Sequence, residues 1–522
     1  MSAAVAHRSA VALCFFYLFA AALAALALAS GEIILIGLVL GALAGLILIE
    51  RPGVTLGIVV IATLALAGPI VMHWPQAARL PWMLSLLGVL LMVTAVLHGA
   101  LSVPQTAQQR PWPAFAVAAV ASLMLAMVGA LLSTGSLEQG IAGLKRQYAF
   151  WGVLLVWLIL PLPWSQVRRL GWALLAIGML QLPLAIYQRL VLMPRRLNLP
   201  DGVVPVDIVA GSFEGSLTGG ANNNVMAFFL VLMLAALAAL RREGLIRPLL
   251  FWPLMLWLAA PLVLGETKMV IVFLPIALAV VYADLIRLRP GRFALGTLAM
   301  LAVCAALFYN YVALQVDEDR SGMSLQARIE QNFEYNLGNR GYYGGASLNR
   351  STVVDFWWSR HGLADLRGTF FGHGVGSAHG SRGTERLGHM DRQYPGYAIG
   401  LTAVAVHLWE QGLVGAALIL GSVVGAWRCA SRLIGQAREG LDRALCRTLA
   451  AGAALLIPIW LMLEAWVLAP SQQVLAALIL GLTAWRARMP VLADDPRPDT
   501  SMQPGVAPAA ARPAGPSVSR VR

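Results

Sequence analysis

The feature that most constrains this chain is a succession of apolar runs, each close to the roughly 20 residues that carry a helix across a bilayer. They lie at residues 9 to 29, 32 to 49, 54 to 72, 82 to 98, 113 to 133, 148 to 163, 169 to 187, 224 to 240, 249 to 264, 268 to 286, 293 to 312, 402 to 427, 448 to 468 and 472 to 487. Runs of this length and number exclude a water-soluble enzyme, because their apolar surface needs lipid or protein around it. Composition agrees: 12% of residues are charged, about half the roughly 25% of a soluble domain. The expected fold is an all-α polytopic integral membrane protein of about 12–14 transmembrane helices, with a large outside loop that contains short amphipathic helices. The first run ends in Ala27-Leu28-Ala29, a pattern of signal-peptidase type. It exceeds the usual apolar core of roughly 7 to 15 residues, so it reads as a retained helix.

The formal charge of +13 comes almost wholly from arginine, the only lysines being Lys145 and Lys268. With the N-terminus in the cytoplasm, the inside loops collect Arg51, Arg168 and Arg169, Arg241, Arg242 and Arg247, Arg287, Arg289 and Arg292, and Arg428, Arg432, Arg438, Arg443 and Arg447. This is the positive-inside pattern, which explains the basic balance without a nucleic-acid partner. Lys145 with Arg146, and the group Arg189, Arg195 and Arg196, fall outside instead, where basic residues are candidates for binding anions. The four cysteines, Cys14, Cys304, Cys429 and Cys446, give no disulfide framework or ligand spacing. No metal and no cofactor is expected. Residues 489–522, rich in Pro, Ala and Arg without periodicity, read as a disordered cytoplasmic tail. The chain then divides into N-terminal spans at 1–190, further spans with a first outside segment at 191–312, the large loop at 313–401, C-terminal spans at 402–488 and that tail.

The large loop is the main site candidate. It holds nine arginines, Arg320, Arg328, Arg340, Arg350, Arg360, Arg367, Arg382, Arg386 and Arg392, and half of the eight histidines, His361, His373, His379 and His389. Its segment from Arg350 to Arg360 spaces Val353, Val354, Phe356 and Trp357 helically, which predicts an amphipathic helix on the outer leaflet, opened by Arg350 and anchored by Trp357 and Trp358. Phe370-Phe371-Gly372-His373-Gly374-Val375-Gly376 follows, its alternate glycines letting the backbone approach a ligand or a neighbouring helix. The next helix places His407 and Glu410 on one face near the outer boundary. The nine acidic residues of the segment can pair with its arginines, and Asn222 to Asn224 can cap the eighth helix.

An Arg opening a Trp-bearing helix, a Phe-Phe-Gly-x-Gly-x-Gly turn and a Glu-x-Gly-x-x-Gly helix (Glu410, Gly412, Gly415) resemble the bacterial O-antigen ligase and Wzy-type polysaccharide polymerase superfamily. Ala210-Gly211-Ser212-Phe213-Glu214-Gly215 with Asn222-Asn223-Asn224-Val225-Met226-Ala227 resembles the family's Gly-x-Phe to Asn-x-x-Ala segment. Gly265-Glu266-Thr267-Lys268 stands where the family usually has Ser-Arg. The family's His-Asn pair before Glu-x-Gly is missing, since Tyr397-Ala398-Ile399-Gly400-Leu401-Thr402 stands there. The resemblance covers about residues 205 to 420 and implies transfer of glycan from undecaprenyl diphosphate to an acceptor sugar hydroxyl on the periplasmic face. It also implies a bacterial inner-membrane location, with the large loop periplasmic and both termini cytoplasmic.

Such a transfer needs fixed cations against the leaving diphosphate, for which Arg350, Lys268, Arg328 and Arg146 are the candidates. It needs a base for the acceptor hydroxyl, with His389, His379 and Glu410 as contenders. Because cations can hold the diphosphate, the chemistry is expected to be metal-independent. The implied partners are an undecaprenyl diphosphate-linked oligosaccharide, an acceptor glycan, the bilayer and other polysaccharide-assembly proteins. The missing His-Asn pair favours polymerase over ligase. The alternative is a transporter or flippase of lipid-linked glycans, against which the sequence sets its lack of matching halves and the concentration of charge in one loop. Only Glu464 sits in the middle of an expected span, that at 448 to 468.

Overall fold

The computed structural model describes residues 41, 44–74, 76–77, 80–101, 111–132, 135–196, 208–213, 222–265, 267–318, 324–338, 342–343, 347–379, 388–437 and 439–489. The expected spans at 9 to 29 and, for the most part, at 32 to 49 lie outside them, as does the proposed tail. Among the described residues the architecture is helical apart from one two-residue strand pair, β1 (Tyr342–Tyr343) and β2 (Ser347–Leu348), joined antiparallel.

Among the described residues, seven helices are long and apolar enough to cross a membrane: α1 (Pro52–His73), α2 (Met83–Ala100 within Leu80–Leu101), α3 (Ala114–Leu132), α6 (Trp164–Leu192), α7 (Asn223–Arg242), α15 (Ala403–Gln436) and α16 (Gly440–Met462). Between them lie α4 (Leu137–Tyr148), α5 (Trp151–Ile159), α8 (Pro248–Leu264), α9 (Val270–Val281) and α10 (Pro290–Glu318), then α11 (Leu325–Leu337), α12 (Thr352–Arg360), α13 (Leu366–Phe371) and α14 (His389–Gln393). The chain closes with α17 (Ala465–Leu468) and α18 (Pro470–Arg488).

The centre is α7, apolar from Val225 to Leu240 and buried nearly all round, against which α8, α9 and α16 pack. A helix without a polar face must be enclosed by other helices or by lipid. Helices α15 and α16 pair along their length, α3 lies on α15, and α5 is held between α2 and α18. The approach of α2 to α5 is backbone to backbone, since a Cβ on Gly152 would meet the Gly88 carbonyl and the Met92 amide. Small residues of this kind are what let helices in lipid gain van der Waals contact.

Two expectations from the sequence are corrected. The run at 148 to 163 is not one span: α5 has nine residues, about 14 Å at 1.5 Å per residue. Pro161 and Pro163 stop it, and Leu160 is already extended. The residues before it form the amphipathic α4, whose Ser136 hydroxyl caps Gln139 N–H at 3.2 Å, with Glu138 in the first turn and Lys145 and Arg146 in the last, as the helix dipole favours. Likewise α16 ends at Met462, so Glu464 sits in the turn before α17 and not inside a span.

The bundle has two unlike ends. At the N-terminal end of α16, Arg443 pairs with Glu243 at 2.8 Å, Arg447 with Glu243 at 3.1 Å and with Asp284 at 3.6 Å, and Arg242 with Asp284. Buried Arg486 of α18 grips Asp442 through two 2.6 Å bonds. Three of the arginines expected in inside loops, Arg242, Arg443 and Arg447, are thus gathered at one end in ion pairs. At the other end of α16, Ala403 N–H at the start of α15 bonds the Leu463 carbonyl at 3.1 Å. The large loop packs here.

Candidate functional site

At this second end, α4, the glycine turn and the start of α15 interlock. Thr402 caps α15 through its hydroxyl, 3.3 Å from Ala405 N–H. The helix kinks at Gly412, whose φ of 65° and ψ of −165° are closed to side chains with a Cβ. His373 N–H and Gly374 N–H bond the carbonyls of Trp409 and Glu410, both at 2.9 Å. A Cβ on Gly372 would stand 2.5 Å from Gln411 N, and one on Gly412 would strike the Phe370 backbone. The alternate glycines of the turn therefore serve close approach to a helix. From the other side Gly143 of α4 packs on the Val375–Gly376 backbone.

Glu410 is buried inside this junction. Its carboxylate accepts from Ala378 N–H at 3.2 Å and from the Gln147 side-chain amide. Gln147 in turn accepts from Gln411 at 2.9 Å, and Gln411 from the Tyr148 hydroxyl at 3.0 Å. These bonds supply the partners that burial of a carboxylate demands. Arg146, one residue before Gln147, is near enough to bear on the Glu410 charge. His407, although only three residues away, turns elsewhere: its Nδ1 donates to the Ala403 carbonyl at 2.6 Å and its ring lies 6.3 Å from Trp460.

His389 opens α14 and is half-buried. Its backbone N–H bonds Gln139 Oε1 at 3.2 Å, and its Nδ1 lies 3.2 Å from the same side-chain amide. Burial, then the Arg392 charge, push it below the ordinary imidazole value of 6.5. His379 is buried, and its carbonyl accepts from Gly388 N–H at 2.8 Å. The Ser377 carbonyl accepts from Met390 N–H at 3.0 Å, which seats α14 on the glycine turn. The structure therefore gathers His379, His389 and Glu410 around one turn, with Arg146 at its edge.

Arg350 stands just before α12 and not in its first turn. Asn349 organises this corner: Oδ1 accepts from Thr352 N–H at 2.8 Å and Ser351 N–H at 3.1 Å, while Nδ2 donates to the Gly338 carbonyl at 2.7 Å. Arg350 Nη1 donates to Asn336 Oδ1 of α11 at 2.6 Å. Arg328 is on α11, its side chain lying outside the described residues. Helix α12 rests on α15 through Phe356 and Trp409, with ring centroids 6.4 Å apart. Trp357, expected at the membrane surface, is buried, whereas Trp358 is 50% exposed.

Lys268 belongs to a second cluster, where the other two sequence blocks meet. Thr267 donates to the Gly265 carbonyl at 3.1 Å, and Asn223 reaches the same carbonyl at 3.5 Å, so Asn223 bridges to the Gly265 turn and Asn222 makes no side-chain cap. The strap at 208–213 is tied down by two glutamines of α6: Gln188 accepts from Gly211 N–H at 2.7 Å and Gln181 from Ser212 N–H at 2.9 Å.

One further group departs from the sequence reading. No ligand spacing was expected in the loop, yet His361, Asp365 and His373 bring their nitrogen and carboxylate atoms within 4.8 Å of one another. The two Nε2 atoms are 2.7 Å apart. Burial, and then the charge of His361, lower His373 to about 4.

Gln139, Gln147, Tyr148 and Asn349 escaped the sequence reading. The signal for two of them was present: Gln139, Gly143 and Gln147 recur at every fourth residue, one face of a helix. Comparison of the chain with protein-family models and with curated proteins finds no match to either.

Proposed function

We propose that this protein is a membrane glycosyltransferase that moves glycan from an undecaprenyl diphosphate carrier to an acceptor sugar hydroxyl at the periplasmic face, polymerising, or ligating, a surface polysaccharide such as O-antigen or exopolysaccharide. Polymerisation is preferred, because the His-Asn pair before Glu410 is absent. The observation that carries the reading is the meeting of two distant blocks, Phe370 to Gly376 and Glu410 to Gly415, around one buried carboxylate at the end of the bundle that bears the Arg-rich loop.

In this reading His389 takes the acceptor proton. It is half-exposed where His379 is buried, and its lowered pKa keeps it neutral and able to accept. The hydroxyl oxygen attacks the anomeric carbon, the bond from that carbon to the phosphate oxygen breaks, and undecaprenyl diphosphate leaves with the electron pair. Arg350, Arg146, Arg328 and Lys268 are the cations that meet the charge on the leaving group. Lys268 does so as a point charge without the fork of an Arg. Glu410 is a positioning residue, holding the glycine turn through Ala378 and Gln147.

The test is release of undecaprenyl diphosphate by purified protein in liposomes supplied with a lipid-linked oligosaccharide and an acceptor glycan. Wild type should release it, and Arg350→Ala should lose at least about 100-fold in rate, the scale of removing one preorganised charge partner, while inserting normally. Absence of release by wild type, or an unchanged rate in the variant, would overturn the proposal.

A further inference from the structure

We propose that His361, Asp365 and His373 form a binding site for one divalent transition-metal ion of zinc type. The His373 ring lies 6.2 Å from that of His389, but the proposal does not rest on the transfer chemistry above.

Each of the three residues is prepared differently. His361 is buried, stacked on Trp357 at 5.3 Å and edge-on to Trp409 at 4.8 Å. Its Nδ1 lies 2.9 Å from the Trp357 carbonyl. Only a protonated nitrogen can donate there, so Nε2 carries the lone pair. A ligating histidine held through its other nitrogen by a backbone carbonyl is the usual supporting arrangement of metal sites. His373 presents its Nε2 to that lone pair at 2.7 Å, and its backbone is fixed on α15 by the 2.9 Å bond to the Trp409 carbonyl. Asp365 uses Oδ1 to cap Gly368 N–H at 2.9 Å, and its carboxylate completes the group.

Two neutral imidazoles and one carboxylate make a ligand set suited to zinc and its neighbours. Bonds of about 2.0–2.1 Å in a tetrahedron set ligand atoms about 3.3 Å apart. The two nitrogens would therefore separate by roughly half an ångström, a movement open to the half-exposed His373. Three protein ligands leave a fourth position for water. An ion here would join the end of α12, the start of α13 and the glycine turn, the three pieces of chain that hold α15 at its kink. Arg367 adds positive charge nearby, and a ligating imidazole must be free of its proton, so binding should weaken as the solution is acidified.

The test uses the full-length protein purified in detergent without a polyhistidine tag and stripped with a chelator. Zn(II) is titrated against a fluorescent chelator, and Co(II) is followed by its visible absorption. Wild type should take up one equivalent of either ion per chain, with the absorption of low-coordinate cobalt. His373→Gln and Asp365→Asn should each weaken binding by more than the roughly 10–100-fold that loss of a mere supporting partner costs. The Asn variant keeps the cap on α13, so its failure to bind reports on coordination and not on folding. Absence of a saturable site in wild type, or unchanged affinity in both variants, would overturn the proposal and leave a histidine pair joined by a hydrogen bond.

Discussion

His389 and Glu410 show how one junction gives two ionisable groups different surroundings. Glu410 is enclosed and its carboxylate is committed to Gln147 and Ala378, so it stiffens the junction. His389 is half-buried beside an uncharged amide, and burial holds its pKa below 6.5. The sign for a base follows directly. The neutral form persists below the ordinary imidazole range, so the transfer rate should stay level as pH falls from about 8 to 6.5 and decline only below that. The pH profile of kcat/KM in liposomes measures this, and a midpoint above 6.5 would remove His389 as the base. His389→Ala should lose about 100- to 10,000-fold in rate, the usual worth of such a group. The sequence pointed to both residues but not to their partners. Gln139 and Gln147 carry no charge and sit in a segment whose legible features were Lys145 and Arg146. Their importance appears only when α4 is laid against the glycine turn.

At the scale of elements, α18 is buried over most of its length. Its Arg486 makes a bidentate, buried pair with Asp442 of α16. Removing one partner of a buried pair leaves the other charge uncompensated and costs about 3–5 kcal/mol, whereas replacing both by apolar residues is often neutral or stabilising. Arg486→Ala should lower the thermal unfolding temperature in detergent markedly, and the double variant Arg486→Met with Asp442→Leu should recover most of the loss. A single variant as stable as wild type would show that the pair holds nothing together. The runs that became α1, α2, α3, α6, α7, α15 and α16 were legible because apolar length is a direct physical requirement of the bilayer. The kink at Gly412 was not, because a glycine in an apolar helix reads equally as a packing residue. Nor was the His361, Asp365 and His373 group, since its spacing fits no single helix face and exists only because the chain turns back on α15 between α12 and the glycine turn.

At the scale of the whole molecule, the ion pairs of Arg242, Arg443, Arg447 and Arg486 mark one end of the bundle, and the glycine turn with the large loop marks the other. If the positive-inside rule governs this chain, the two ends face opposite sides of the membrane. In a variant lacking its native cysteines, Trp358→Cys, at a position 50% exposed, should react in intact cells with a membrane-impermeant thiol reagent. Leu245→Cys, at a position also 50% exposed, should react only after lysis. The reverse pattern would place the site in the cytoplasm, where no periplasmic transfer can occur. The central claim, that the chain consumes lipid-linked glycan, is tested most directly by deleting the protein from its host. Undecaprenyl diphosphate oligosaccharides and surface polysaccharide are then extracted and sized together. Accumulated single repeats with loss of long polymer are the predicted result. Accumulated long lipid-linked chains beside a bare acceptor would make the transfer a ligation. An unchanged lipid-linked pool would contradict the account and return the chain to the class of transporters.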